Sequence, residues 1–389
     1  MAKNARGAGS IRQRPDGRWE ARFSVGFHPG TGRQIQRSVY GKTQKEVRQK
    51  LTQIVLELDQ GTYVAPSKLT LSTWLNTWLS DYSSHVKPHT LKSYQDRIRL
   101  YVIPALGAVK LTELTPPMVQ RFINDLNKGT HRKTPLSPKT IKNVHGVLHR
   151  ALVQAVMIGY IRSNPADHCT LPRIVKPDIK PLDDDMIVKF MKAVEGEPFE
   201  ELFLITLFTG LRQGEVLGLQ WSNVDFEHGL LTVKQQLQRE KKAGGCYYLT
   251  SLKNGKTRTL CLPPFVLELF RKRKENQEKE RQGAYDLWQE DIPGLVFETL
   301  TGGHVSHTTV RGHFKRIVKQ LGIPETRFHD LRHSFAVASL QNGDDVKTLQ
   351  ENLGHHAAGF TLDTYGHITS QMRQASAQRM EDYITRLKQ

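Results

Sequence analysis

The sequence predicts a multidomain protein: a small α+β N-terminal domain, an all-α helical domain, and a mixed, mainly-α C-terminal domain with a small β-sheet. Three observations lead there. At 389 residues the chain exceeds the roughly 100–200 residues of one ordinary domain. Two stretches, Gly61 to Lys68 and Pro165 to Pro181, carry prolines and lack apolar periodicity, which reads as interdomain linker. The apolar period also changes, from two and then 3.6 before the first break to 3.6 alone between the breaks and a mixture after the second. The expected divisions are 1–62, 68–165, a linker at 166–181, and 182–389.

In the first division Trp19, Ala21, Phe23 and Val25 alternate with Arg18, Glu20, Arg22 and Ser24, the pattern of a half-buried strand. His28 to Gly32 reads as a turn into a second strand, Arg33 to Tyr40. Thr43 and Glu46 have capping-box spacing, and Val47, Leu51, Ile54, Val55 and Leu58 form one helical stripe. A three-stranded sheet plus one helix is expected.

Four helical patterns follow: Leu71, Trp74, Leu75, Trp78, Leu79 and Tyr82; Leu91, Tyr94, Ile98 and Val102; Val119, Phe122, Ile123 and Leu126; Ile141, Val144, Leu148, Ala151, Leu152 and Ala155. Short connections make this a helical bundle, and aromatic residues at helical spacing are its core. In the last division helices are expected at Glu201 to Phe208, Gln213 to Leu219, Phe265 to Gln282, Thr308 to Leu321 and Leu331 to Gln341, with strands at Leu230 to Leu237, Tyr247 to Ser251 and Arg258 to Leu262. Met372, Ala375, Met380, Tyr383, Ile384 and Leu387 mark an amphipathic C-terminal helix, suited to docking on a neighbouring subunit or on its own domain.

The formal net charge is +18 and the pI about 9.8. Residues 1 to 50 hold twelve lysines and arginines against three aspartates and glutamates, so half of the surplus sits in one small domain. Each Lys or Arg laid on a phosphate releases a counterion, so this surplus points to a nucleic-acid partner, with an acidic membrane surface as the competitor. Arg18 and Arg22, alternating on one strand face, and Lys128, Arg132, Lys133 and Lys139, around a basic loop with His131, are the candidate DNA contacts. No stretch is apolar enough to span a bilayer. Cys169, Cys246 and Cys261 have no metal-ligand spacing and are odd in number, as suits a reducing compartment; they read as structural. The expected place is the cytoplasm.

No phosphate loop is present, and Gly244-Gly245 and Gly302-Gly303 lie in no strand-to-helix context. Two chemistries compete for the C-terminal residues. His329 and His333, four apart, with Asp330 and His355, form an imperfect zinc pattern, and Arg332 beside it is an unneeded cation. Metal-free phosphoryl transfer fits better: it needs cations for the charge of a pentacoordinate phosphate, and planar guanidiniums grip two oxygens at once. Arg212 and Arg332 supply them.

Taken together, Thr209-Gly210-Leu211-Arg212-Gln213-Gly214-Glu215, Lys253-Asn254-Gly255-Lys256-Thr257-Arg258, His329-Asp330-Leu331-Arg332-His333, Leu353-Gly354-His355 and Thr361-Leu362-Asp363-Thr364-Tyr365-Gly366-His367 resemble the motifs of tyrosine recombinases of the integrase type found in temperate phages and conjugative transposons. The resemblance covers the whole chain and implies an arm-binding domain, a core-binding domain and a catalytic domain. It makes Tyr365 the nucleophile and His329 the handler of its proton. Arg212, Arg332 and His355 would hold the nonbridging oxygens, with Glu215 supporting Arg212. Lys253, preferred over Lys256, would protonate the departing 5′-oxygen. His356 doubles the histidine where the family more often has a small polar residue.

The implied product is a 3′-phosphotyrosyl enzyme, formed without ATP, metal or other cofactor. The implied partners are double-stranded DNA at core and arm attachment sites and three further copies in a DNA-bound tetramer, with an excisionase and a DNA-bending protein as accessory factors. Relaxation of supercoils in the manner of type IB topoisomerases, and noncatalytic regulation of DNA, are the competing functions.

Overall fold

The computed structural model describes residues 9–61, 63, 68–130, 134–175, 180–240, 245–252, 255–354 and 370–388. The chain forms two compact units, Met1–Val175 and Lys176–Gln389.

In the first unit, β1 (Ser10–Gln13), β2 (Trp19–Phe27) and β3 (Gln34–Gly41) form an antiparallel sheet in the order β1-β2-β3. Helix α1 (Gln44–Asp59) covers one face, and Ala21 and Phe23 meet Val47 and Leu51. Thr43 caps α1 by accepting from the Glu46 amide, and the Glu46 carboxylate accepts from the amide of Lys42, so two otherwise unpaired amides are satisfied at the helix start.

The alternation that puts Ala21 and Phe23 inward sends Glu20 to the other face, where it was expected to meet solvent. It is instead 3% exposed. Arg12 lies directly across on β1, Ser38 and Tyr40 flank it on β3, and Arg22 follows two residues on. Ser38 and Arg12 are the main groups holding its carboxyl far below the usual range.

The bundle comprises α2 (Leu71–Asp81), α3 (Pro88–Arg97), α4 (Ile103–Leu106), α5 (Pro116–Lys128) and α6 (Pro138–Met157). A wider turn at Ile98–Val102 joins α3 to α4 ahead of Pro104; a proline inside a helix removes one amide donor and crowds the preceding turn. Trp74 is fully buried and donates to the Ala151 carbonyl at 3.0 Å, so the indole adds apolar area without an unmet donor. Trp78 stacks on Tyr94. The packing runs on through Ala166 and Leu171, into the stretch expected as linker. Glu57 of α1 pairs with Arg162 beyond α6.

In the second unit, α7 (Asp184–Val194) and α8 (Glu200–Thr209) precede α9 (Gln213–Leu217). Leu202, Phe203, Ile205, Thr206 and Leu207 of α8 are all buried, as a helix apolar on every side requires. The expected single strand Leu230 to Leu237 divides in two. β5 (Leu230–Val233) joins β4 (Val224–Asp225) and β8 (Arg258–Cys261), whereas β6 (Gln235–Arg239) pairs with β7 (Tyr247–Ser251). The chain changes sheets at Lys234, and Gln235 anchors the second stretch by donating to Gly218 and Gln220.

Helices α10 (Pro264–Ala284), α11 (His307–Gln320), α12 (Phe328–Gln341), α13 (Val346–Leu353) and α14 (Ser370–Leu387) complete the unit. Helix α12 starts three residues before its apolar pattern because Asp330 reaches back to the Arg327 amide at 2.7 Å, which places His329 on its first turn. Cys246 and Cys261 are exposed, which corrects their reading as structural. Met380, Tyr383 and Leu387 of α14 are exposed. Among the described residues no helix is long and apolar enough to cross a membrane.

Candidate active site

Arg212 stands at the N-cap of α9, where a short polar oxygen is the usual occupant. The cap is supplied from the other side: Glu215 accepts from the Arg212 amide at 3.0 Å and from its Nη1 at 2.6 Å. Arg258, the first residue of β8, takes both oxygens of the same carboxylate at 3.2 and 2.6 Å. Burial by itself would raise the Glu215 pKa, but the hydrogen bond and charge of Arg258, then the charge of Arg212, outweigh it and hold the carboxyl at about 2.

Three guanidiniums converge on a few backbone carbonyls. Arg332 is almost completely buried and donates to the carbonyls of Gly210, at 2.6 Å, and Leu353. Arg258 donates through Nε to Asn352 at 2.8 Å, and Arg212 through Nη2 to Gly354 at 3.3 Å. The last carbonyls of α13, the negative end of its dipole, are thus clasped by cations. Two glycines make this approach feasible. Gly210 and Gly354 both have φ in the left-handed region, and a side chain on Gly210 would meet Phe335 at 2.4 Å.

His329 and His333, one turn apart on α12, have perpendicular rings 4.9 Å apart. His329 is exposed to solvent. Even so, desolvation by the packed wall around it, then the charges of His333, Arg332 and Arg212, bring its pKa down to about 4. The helix start acts in the same direction. Burial lowers the pKa of His333 as well. Asp330, the carboxylate of the zinc pattern, is engaged by Arg327. With that pair neutral within itself, the described residues of the site comprise three guanidiniums and one carboxylate, an excess of two positive charges in a largely buried setting. Such a site stabilises an anion that gains charge as it reacts.

The structure therefore brings Arg212, Glu215, His329 and Arg332 together. Lys253, His355 and Tyr365 lie outside the described residues, as do Arg132 and Lys133. Gly354, the last described residue before His355, is itself part of the clasp. Lys128, in the last turn of α5, and Lys139, in the first turn of α6, are exposed on either side of the basic loop. Arg18 and Arg22 are exposed and already paired, with Asp16 and Glu20. In the sequence Arg258 marks the end of the lysine box and the start of a strand, with no role of its own. A signal was available, because period two puts Arg258 on the same face as the buried Leu260.

Residues 180–372 match the phage integrase family, and residues 70–127 match the SAM-like N-terminal domain of phage integrases. A tyrosine recombinase XerC-like protein of Caldanaerobacter subterraneus subsp. tengcongensis is 29% identical over 370 residues, covering 90% of this chain and 93% of that one. The ICEBs1 integrase of Bacillus subtilis is 22% identical over 387 residues, covering 96% and 100%. Among solved structures, the Tn1549 transposon integrase in complex with a circular intermediate DNA is similar at a TM-score of 0.68 and 24% identity, covering 80% of this chain and 99% of that chain. A lambda integrase tetramer bound to a Holliday junction follows at 0.58 and 19%, covering 95% and 99%. With two phage integrase matches along the chain and relatives of one kind over nine-tenths of it, the chain belongs to the phage integrase family of tyrosine recombinases.

Proposed function

We propose that this protein is an integrase that cuts and rejoins DNA at specific sites to move a mobile element, by way of a 3′-phosphotyrosyl intermediate. The observation that carries the reading is the convergence of three guanidiniums, Arg212 and Arg258 on the Glu215 carboxylate and Arg332 on the carbonyls of Gly210 and Leu353, with the neutral imidazole of His329 near Arg212 and Arg332. Arg212 and Arg332, with His355, hold the nonbridging oxygens of the scissile phosphate. The Tyr365 hydroxyl attacks phosphorus, its proton passing to His329. The bond from phosphorus to the 5′-oxygen breaks, and Lys253 protonates that oxygen as it leaves. Attack by a 5′-hydroxyl of a second strand reverses these steps and joins the new partner. The phosphodiester energy is kept in the tyrosyl ester, so no ATP is consumed.

Exchange between two duplexes takes four such sites, and the reading therefore includes a tetramer on DNA. The basic sheet face with Arg18 and Arg22 contacts arm sites, and the loop flanked by Lys128 and Lys139, with Arg132 and Lys133, contacts the core site. An excisionase and a bending protein set direction, and the complex resides at the bacterial nucleoid.

The test is a nicked suicide duplex carrying the end sequences of the element that encodes the protein, incubated in excess EDTA and run on a denaturing gel. The expected result is a covalent protein–DNA band for the wild type and none for Tyr365→Phe. A band that persists in Tyr365→Phe, or cleavage that requires metal, refutes the assignment.

A further inference from the structure

We propose that Arg258 is a positioning residue of strand transfer: by taking up the charge of Glu215 it leaves the Arg212 guanidinium uncompensated for the scissile phosphate. The inference rests on the reading above that Arg212 meets that phosphate. Among the described residues Glu215 is the one carboxylate bonded to Arg212, and its side chain is 2% exposed. Arg212 reaches it through a single side-chain nitrogen, whereas Arg258 engages both of its oxygens. The two arginines also differ in access. The Arg258 side chain is 9% exposed and that of Arg212 is 29%, so Arg258 is sealed behind the carboxylate while Arg212 opens toward an incoming ligand.

Without Arg258, one carboxylate would face one arginine. Arg212 would be neutralised where it is needed, and the excess of two positive charges would fall to one. A phosphodiester carries one negative charge in the ground state and gains a second in the pentacoordinate state. The loss therefore falls on the cleavage rate more than on DNA affinity. Arg258 also ties the start of β8 to the end of α13 through its bond to Asn352, which joins the strand that follows Lys253 to the segment that leads into His355.

The experiment uses the full chain and the same nicked duplex. It compares Arg258→Gln, Arg258→Lys and the double variant Arg258→Gln with Glu215→Gln, measuring the rate of adduct formation at saturating DNA and the Kd by gel shift. Arg258→Gln is expected to slow the reaction roughly ten- to a hundredfold, below the loss typical of a direct oxyanion donor, with Kd unchanged. Arg258→Lys should recover part of the rate. The double variant should be faster than Arg258→Gln, because the neutralising carboxylate has gone; a merely structural clasp would make it equal or slower. The double variant removes both charges of the buried Arg258–Glu215 pair together, so it carries the test even where Arg258→Gln melts early. A double variant no faster than Arg258→Gln, or an Arg258→Gln that matches the wild type, overturns the proposal. A wild type that forms no adduct overturns the parent reading and this inference with it.

Discussion

Gly210→Ala perturbs the clasp at its narrowest point. Gly210 ends α8 with φ +64°, and its carbonyl accepts from Arg332 at 2.6 Å. A left-handed conformation costs a non-glycine residue roughly 1–2 kcal/mol. The added methyl would lie 2.4 Å from the Phe335 ring and 2.8 Å from Leu353, and overpacking of this kind costs about 1–3 kcal/mol more. Gly196 is a control in the same unit, with φ +71° and nothing near the position of an added methyl, so Gly196→Ala bears the backbone cost alone. Calorimetric melting should separate the two variants by about 1–3 kcal/mol, roughly 3–10 °C for a domain of this size. Adduct formation should fall at least about tenfold in Gly210→Ala, because the shifted carbonyl releases Arg332. Equal melting temperatures for the two variants would refute the steric argument, and an unchanged adduct rate would refute the link to Arg332.

The remaining predictions concern protons and salt. Because the His329 pKa is lowered toward about 4, the imidazole should stay neutral in the free protein at pH 6, and NMR titration should show its change well below the ordinary value near 6.5. The unfolded chain binds this proton first, so His329 makes stability rise with pH between about 4 and 6.5. A titration at 6.5 contradicts the geometry. Arg22→Ala removes one exposed cation, while Glu20 keeps its bond to Arg12. The sheet should therefore keep its fold, and the slope of log affinity against log salt for duplex DNA should shrink by about one. An unchanged slope, measured by fluorescence anisotropy, would remove Arg22 from the interface.

Element types were legible wherever a strong local pattern existed. The stripe Val47, Leu51, Leu58 and the run through Ile141, Val144 and Leu148 each became a helix of nearly the expected span. The motif boxes were legible for a similar reason, since each is contiguous and carries its chemistry in its own side chains. Weaker patterns failed in specific ways. Leu230 to Leu237 reads as one strand because alternation says which face a residue takes and nothing about which strand it pairs with. Glu20 reads as exposed because its burial comes from Arg12, Ser38 and Tyr40, side chains brought across the sheet by pairing.

What the amino-acid order determined by itself, then, is the succession of a small β domain, a helical domain and a mixed domain, the basic N-terminal sheet and the family motifs that make Arg212, His329 and Arg332 candidates for phosphoryl transfer. Tertiary structure alone decided how those residues are held. Arg212 meets the Gly354 carbonyl across 142 positions, Arg332 meets Gly210 across 122, and Arg258 meets Asn352 across 94. No periodicity reaches that far. Such contacts form only when buried helices and strands pack at fixed distances, and a guanidinium stays buried there because carbonyls and one carboxylate satisfy it. The charge left over is thus a property of the folded arrangement and of no single motif.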